Sequence, residues 1–217
     1  MKNYIISIRQ NWQKALHNKV FRKVLISAIL VLIIVSFATH FFFNYNEDRP
    51  GGVTMNDWVL NELPAKNVSV LITPFITSVV LLFFIRMATQ PTELITALIA
   101  YIFLLVFRIT TIAITHFQTP PRLVALTDPM SNLVYGARFI TKDLFFSGHI
   151  ATIFLIYLCL SKKTDRSYVL FAAFSMALLL LIQHVHYTID VISAPFFALG
   201  CLWLAKRMVH KISHSRF

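Results

Sequence analysis

Six long apolar runs constrain this chain more than any other feature of its sequence. Each run has 16 to 22 residues and almost no charge, and a bilayer core of about 30 Å is crossed by about 20 residues of helix. Backbone groups in lipid must bond within the chain, so such runs fold as helices. We therefore predict an all-α, polytopic membrane protein with six transmembrane helices. The predicted spans are residues 24–43, 68–85, 94–115, 144–160, 168–183 and 187–205.

The composition agrees with a membrane protein, and the charges indicate its orientation. Only 13% of the residues are charged, against about 25% in soluble domains. The residues before the first span carry six lysines and arginines and no acid, whereas the 44–67 and 116–143 loops together are nearly neutral. By the positive-inside rule, both termini and the 161–167 loop are cytoplasmic. The net charge of +11 thus reflects topology and anionic lipid, not nucleic-acid binding.

We predict three segments along the chain: an amphipathic cytoplasmic segment 1–23, a six-helix transmembrane domain 24–205 and a basic cytoplasmic tail 206–217. In the first segment, apolar side chains recur at helical spacing among basic residues, which suits a helix lying on the cytoplasmic leaflet. Packing against the bundle or another subunit is the alternative. The apolar positions are Ile5, Ile8, Trp12, Leu16 and Val20.

Four ionisable side chains lie inside or at the edge of the spans, where the cost of charge makes function the default hypothesis. They are Arg108 in the third span, His149 at the start of the fourth, and His186 and Asp190 at the start of the sixth. Each has an ordinary alternative, as a histidine bonded within the bundle or a snorkelling arginine. The predicted topology places all four near the non-cytoplasmic face. We therefore expect one site there.

The residue types and spacings in this set indicate phosphoryl transfer. His186 and Asp190 are four residues apart, and a carboxylate fixes the tautomer of an attacking imidazole. His149 follows the small residues Ser147 and Gly148 at a helix N-terminus, which favours an anion. The arginine of the third span offers five donors to phosphate oxygens. Together these groups suit transfer through a phosphohistidine.

We expect neither a metal nor a cofactor. His184 and His186 are two residues apart, which does not put both rings on one helical face, and no His-Glu-x-x-His motif is present. The cysteines, Cys159 and Cys201, lie in apolar runs and offer no disulfide framework or cysteine zinc site. A transporter or channel is disfavoured because no polar residues continue through the cytoplasmic half of the spans.

Three stretches contain the residues singled out above: Phe107-Arg108-Ile-Thr-Thr-Ile followed by Thr119-Pro120-Pro121, Asp143-Leu-Phe-Phe-Ser-Gly-His149, and His184-Val-His186-Tyr-Thr-Ile-Asp190-Val-Ile. They resemble the motifs of the sphingomyelin synthase family, a branch of the lipid phosphate phosphatase (type 2 phosphatidic acid phosphatase) superfamily. The resemblance covers roughly residues 57–205. It implies a head-group transferase that moves a phospho-head group from a glycerophospholipid to a ceramide-like alcohol and releases diacylglycerol.

The resemblance also implies roles for individual residues. His186 would be the nucleophile, Asp190 its orienting acid and His149 the acid/base. Asp143 would bind a cationic head group or join the histidine network, with a helix N-cap as the alternative. His184 and Tyr187 could be substrate ligands. The alternative for His184 is a supporting hydrogen bond, and the alternative for Tyr187 is a place in the interfacial aromatic belt. The candidate substrate or phosphate ligands are Arg108, Asp143, Ser147, Gly148, His184 and Tyr187.

This sequence departs from the motifs of the family and of the phosphatase branch at positions that bear on the reaction. Val185 stands where family members often have Asp. The phosphatase branch typically has a Lys-x6-Arg-Pro motif and an arginine six residues before the nucleophile, where Leu180 stands here. The sequence thus favours a transferase over the alternative, a lipid phosphatase or phospholipase C-type hydrolase.

The expected partners are a phospholipid donor, a ceramide or diacylglycerol-like acceptor and the membrane, without nucleic acid; a homo-oligomer is left open. We expect a bacterial inner membrane, or the Golgi or plasma membrane of a eukaryote, with the site on the non-cytoplasmic side. A cysteine at Ser131 would then be labelled from outside.

Overall fold

The computed structural model describes residues 2–126 and 140–214. Within these residues the chain forms eight helices and no strand, and Val53 and Phe117 form an isolated β-bridge. The all-α prediction is confirmed. The helices are α1 (Lys2–His17), α2 (Lys19–Asp48), α3 (Trp58–Glu62), α4 (Ser69–Met87), α5 (Pro91–Thr115), α6 (Gly148–Cys159), α7 (Lys163–Ile182) and α8 (Thr188–His214).

Five of these helices are long and apolar enough to cross a membrane. They are α2, α4, α5, α7 and, over Thr188–Ile212, α8. They match the first, second, third, fifth and sixth predicted spans. The chain is therefore a multi-pass membrane protein, as the apolar runs predicted.

The fourth predicted span, residues 144–160, forms a shorter apolar helix than the sequence predicted. Its helix, α6, has 12 residues and a length of about 18 Å at 1.5 Å per residue. Two bonds hold the preceding apolar residues outside the helix: Thr111 Oγ1 donates to the Phe145 carbonyl (2.9 Å), and the Ser147 amide donates to the Asp190 carbonyl (3.0 Å). Hydropathy shows that a residue avoids water, not that it is helical.

The long helices α2, α5 and α7 run in one direction and α4 and α8 run in the other, so the bundle has two ends. We call the end with Arg86 and Asp165 the basic end; there, Arg86 Nε lies 2.6 Å from Asp165 Oδ2 and links α4 to α7. We call the end with Ser69 and Gln183 the loop end. There, Gln183 Nε2 donates to Ser69 Oγ at 2.8 Å and links the same two helices.

The helix α5 is central and packs against α2, α6 and α8. Small side chains let helices approach closely in lipid, and α8 buries a stripe of them. On its opposite face, Phe196 and Trp203 are exposed, as expected of side chains that face lipid. The buried stripe consists of Ala194, Ala198, Cys201 and Ala205.

The amphipathic helix α1 packs against the basic end of the bundle. Its side chains satisfy carbonyls near the end of α4, where a helix leaves its last carbonyls without internal partners. Contact with the bundle, one of the two sequence alternatives, is therefore present, while Ile5 and Leu16 stay exposed. The bonds run from the Tyr4 hydroxyl to Ile85 O, from Asn11 Nδ2 to Thr89 O (2.8 Å) and from Trp12 Nε1 to Ala88 O (2.8 Å).

Candidate active site

A buried arginine lies at the centre of the candidate site. Arg108 is on α5, seven residues before the helix ends at Thr115, and is 6% exposed. Its guanidinium pairs with Asp143, and its Cζ lies 5.4 Å from the centroid of the Phe43 ring. An unpaired cation at this depth would be costly, so such compensation is required. Arg108 Nε is buried and makes no hydrogen bond within the described residues.

Asp143 lies in the non-helical segment before α6. The N-cap of α6 is Ser147, so the alternative role of Asp143 as a helix cap is wrong. Glu47, at the end of α2, holds the chain beside Asp143: it accepts bonds from Thr141 N (2.8 Å), Thr141 Oγ1 (2.7 Å) and Lys142 N (3.0 Å). Sequence reasoning missed Glu47, because nothing in the sequence links the end of α2 to a segment about 95 residues later.

Gly148, the first residue of α6, lies against the guanidinium. A methyl group at this position would come within 2.6 Å of Arg108 Cζ, so only glycine fits without a shift. The contact puts the positive end of the α6 dipole beside a fixed cation, an arrangement that favours a bound anion. The Ser147 hydroxyl does not cap the helix and is buried without a hydrogen bond in the described part of the chain.

His186 and Asp190 face one another at the start of α8. His186 Nδ1 lies 3.4 Å from Asp190 Oδ2, and the same oxygen accepts the Tyr187 amide at 3.0 Å. Both side chains are buried, and Asp190 is fully so. The helix begins at Thr188, so His186 precedes it rather than lying on its face. A turn held by Asp190, similar to a capping box, brings the two together.

Backbone and ring contacts join the start of α6 to the start of α8. The Ser147 amide donates to the Asp190 carbonyl at 3.0 Å, and the Phe146 and Phe197 rings stack with centroids 4.1 Å apart. His149, the second residue of α6, is half-buried. The residues predicted from three different spans thus meet at the loop end of the bundle.

The structure places two predicted ligands in supporting positions. His184 is buried, with Nδ1 3.0 Å from Pro121 O and Nε2 3.2 Å from Leu63 O, so its ring bridges two loops. Tyr187 is fully buried, which contradicts its alternative role in an interfacial aromatic belt. Its hydroxyl donates to Gln118 O at 2.9 Å.

Asp57 is another residue that the sequence analysis did not single out. It is the N-cap of the short helix α3, and an aspartate before an apolar helical turn is a known signal for such a cap. The same carboxylate bonds to Thr188 at the start of α8. That second contact joins segments 131 residues apart, and no local pattern reports it.

The geometry suits an anion site flanked by a His–Asp pair, and one family comparison covers most of these residues. Residues 142–207 match the family model PAP2 superfamily C-terminal. The PAP2 match includes Asp143, the Ser147–Gly148 turn, His186 and Asp190. It supports this superfamily, and with it an enzyme that acts on phosphate esters. It does not distinguish a sphingomyelin synthase-like branch. No curated protein matches the chain.

The arrangement suits chemistry at phosphorus carried out by side chains. The α6 N-terminus and Arg108 can hold phosphate oxygens, and the buried imidazole beside Asp190 can act as a nucleophile or base. Among residues 2–126 and 140–214, no three His, Cys, Asp or Glu side chains are placed to hold a metal ion.

Proposed function

We propose that this protein is a membrane phosphotransferase that moves a phospho-head group from a glycerophospholipid to a ceramide-like alcohol. The observation that carries this proposal is the charge balance of the site. Arg108 is already paired with Asp143, and Asp190 adds a second carboxylate beside His186. A phosphodiester carries one negative charge and suits such a site better than a doubly charged phosphomonoester.

In the first step, the donor phosphodiester binds against both Arg108 and the α6 N-terminus. Asp190 faces Nδ1 of His186, which directs Nε2 towards phosphorus. As the N–P bond forms, the bond from phosphorus to the glycerol oxygen breaks. His149, in its protonated form, donates a proton to that oxygen, and diacylglycerol leaves.

In the second step, His149 is neutral and removes the proton from the acceptor hydroxyl. The acceptor oxygen attacks phosphorus, the P–N bond to His186 breaks, and the head group is transferred. Asp190 stabilises the positively charged phosphoimidazolium of His186, which forms in the first step and is consumed in the second. Both histidines then return to their starting protonation states.

A hydrolase is the second candidate, and the PAP2 superfamily match favours it. It would use the same residues, with water in place of the acceptor alcohol. A phosphatase needs a phosphomonoester lipid, whereas a phospholipase C-type hydrolase would cleave the same donor as the transferase. The transferase and the hydrolases would therefore use the same site residues, and their products distinguish them.

We further propose that the site opens to the non-cytoplasmic side. The lysine and arginine excess at both termini and in the 161–167 loop supports this orientation. The substrates would then be lipids already present in the outer leaflet.

The test uses purified protein in vesicles that contain one donor lipid at a time, with choline, ethanolamine or inositol head groups. Lipid products are measured by mass spectrometry with and without ceramide. We expect diacylglycerol and a ceramide-linked head group to form together, only when ceramide is present. His186→Ala should abolish both, since no phosphoenzyme can form.

Other outcomes would overturn this proposal. Diacylglycerol with free phospho-head group, equally without ceramide, would identify a hydrolase of the phospholipase C type. Phosphate release from phosphatidic acid alone would identify a phosphatase. Activity of His186→Ala close to that of the unaltered protein would exclude this histidine as the nucleophile.

A further inference from the structure

We propose that Asp57 is a positioning residue for the His186–Asp190 pair, which it serves by fixing the first turn of α8. The proposal rests on the proposed function of that pair. It goes further in assigning a role to a segment outside the matched family region, the loop and short helix of residues 51–63.

The Asp57 carboxylate accepts four hydrogen bonds and caps two helices. Oδ2 accepts the Thr188 amide at 2.6 Å, and Oδ1 accepts the Thr188 hydroxyl at 2.9 Å. Oδ1 also accepts the amides of Val59 (3.1 Å) and Leu60 (3.3 Å) at the start of α3. An ordinary N-cap bonds to its own helix, whereas this one also anchors a helix from another part of the chain.

The anchored residue lies between the two members of the pair. Thr188 follows His186 by two residues and precedes Asp190 by two. The neighbouring Tyr187 hydroxyl accepts the Met55 amide at 3.3 Å, so residues 51–63 hold this turn at two points. The Asp190 side chain makes its own bond to the Tyr187 amide, and its Oδ1 has no hydrogen bond within the described residues.

The geometry of the pair leaves little margin for movement. His186 Nδ1 and Asp190 Oδ2 are 3.4 Å apart, near the upper limit for a hydrogen bond. A small rotation of the first turn would separate them. Misplacement of a catalytic group by about 1 Å can cost on the order of 100-fold in rate.

The experiment compares Asp57→Ala with Asn18→Ala in the full-length protein. Asn18 is a matched control, because its side chain also caps a helix, accepting from Val20 N and Phe21 N, but at the basic end. We expect both changes to lower the melting temperature. Only Asp57→Ala should lower kcat, by roughly 100-fold, with KM little changed because the phosphate ligands are untouched.

Two further measurements separate positioning from simple loss of stability. If Asp57 acts through the pair, Asp57→Ala should add little to the loss in Asp190→Asn, since effects on one unit are not additive. Hydrogen exchange of the amides from Tyr187 to Asp190 should also rise in Asp57→Ala and not in Asn18→Ala. Should Asp57→Ala fail to fold, Asp57→Asn and Thr188→Val, which remove fewer of the bonds, should show smaller changes of the same kind.

Several results would overturn the proposal. One is a kcat for Asp57→Ala, or for Asp57→Asn and Thr188→Val, that matches that of Asn18→Ala once corrected for folded protein. Others are full additivity with Asp190→Asn and unchanged exchange at residues 187–190. The exchange measurement requires no substrate. A protein without any lipid-transfer activity would therefore contradict the proposed function, while the exchange result would still decide whether Asp57 holds the turn.

Discussion

Gly148 illustrates how closely single residues are fitted around the candidate site. Its Cα faces the guanidinium of Arg108 so closely that a β-carbon would overlap it. The sequence indicated only that a small residue stands here at a helix N-terminus. The structure adds a steric reason: the cation and the helix N-terminus can approach the same anion only if the first helical residue has no side chain.

Gly148→Ala should therefore disable the enzyme without unfolding it. The added methyl group displaces Arg108, and loss of one oriented donor typically costs about 100- to 1,000-fold in rate. The measurement is kcat/KM for head-group transfer. Gly200→Ala is the matched control, since nothing lies within 4 Å of a β-carbon there. Equal activities for the two variants would show that the contact with Arg108 does not matter for the reaction.

The two histidines lead to a prediction about pH. His186 must be neutral to attack, and His149 must be protonated to donate. Because the two histidines must hold opposite protonation states, the rate should fall on both sides of a pH optimum. The profile should be recorded from about pH 5 to 9 under conditions where chemistry limits the rate. A flat profile there would argue against paired histidine catalysis.

At the scale of helices, the ion pair between Arg86 and Asp165 joins α4 to α7. Arg86 Nε and Nη2 bond to the two carboxylate oxygens at 2.6 and 3.0 Å, a bidentate geometry that is stronger than a single contact. Nothing in the sequence indicated that these two residues pair. Their pairing depends on how the helices pack, which local patterns do not report.

We expect Arg86→Gln and Asp165→Asn each to lower the melting temperature in detergent. The melting temperature of the double variant should be no lower than that of the less stable single variant, because either change alone leaves a charge without its partner. Transfer activity, measured at a temperature where all variants are folded, should stay unchanged, since both residues lie at the end opposite the candidate site. Strictly additive losses of stability would indicate that the pair contributes nothing as a pair.

The helices and the residues around the candidate site show which features could be predicted from the sequence and which could not. Five apolar runs became long helices because their length and hydropathy leave lipid-exposed backbone no other option. The fourth run formed a shorter helix than predicted because its first residues, 144–147, lie outside the helix, where the Phe145 carbonyl bonds to Thr111 and the Ser147 amide bonds to the start of α8. The candidate site residues His149, His186, Asp190 and Arg108 could be singled out from the sequence because ionisable side chains are rare in such runs. Asp57 and Glu47 were missed because the sequence placed both in the 44–67 loop, and acidic side chains are common in loops.

At the scale of the whole molecule, the proposed orientation can be tested by labelling. Ser131, the reporter suggested by the sequence, lies outside the described residues. Thr54 serves instead, because it is exposed in the loop that contacts Tyr187, and Thr164 is exposed at the basic end. In a background without Cys159 and Cys201, a cysteine at position 54 should react with an impermeant thiol reagent in intact cells.

A cysteine at position 164 should react only after the cells are permeabilised. The reverse pattern would overturn the proposed orientation and the leaflet from which substrates come. The roles proposed for the site residues would stand in that case, because they depend on shared position within the bundle and not on which compartment the loop end faces.

The short helix α6 also relates the enzyme to the thickness of its membrane. A helix of 12 residues is about 18 Å long, so if its last residue lies at the basic-end edge of a hydrocarbon layer of about 30 Å, its first residue lies about 12 Å short of the other edge. The head group of a phospholipid lies at that edge. It can therefore reach Arg108 only if the lipid moves deeper into the layer or the bilayer is thinner around the protein. Local thinning of the bilayer costs less free energy when the acyl chains are short. Chain length in the surrounding lipids should thus regulate turnover, although none of those lipids need be a substrate.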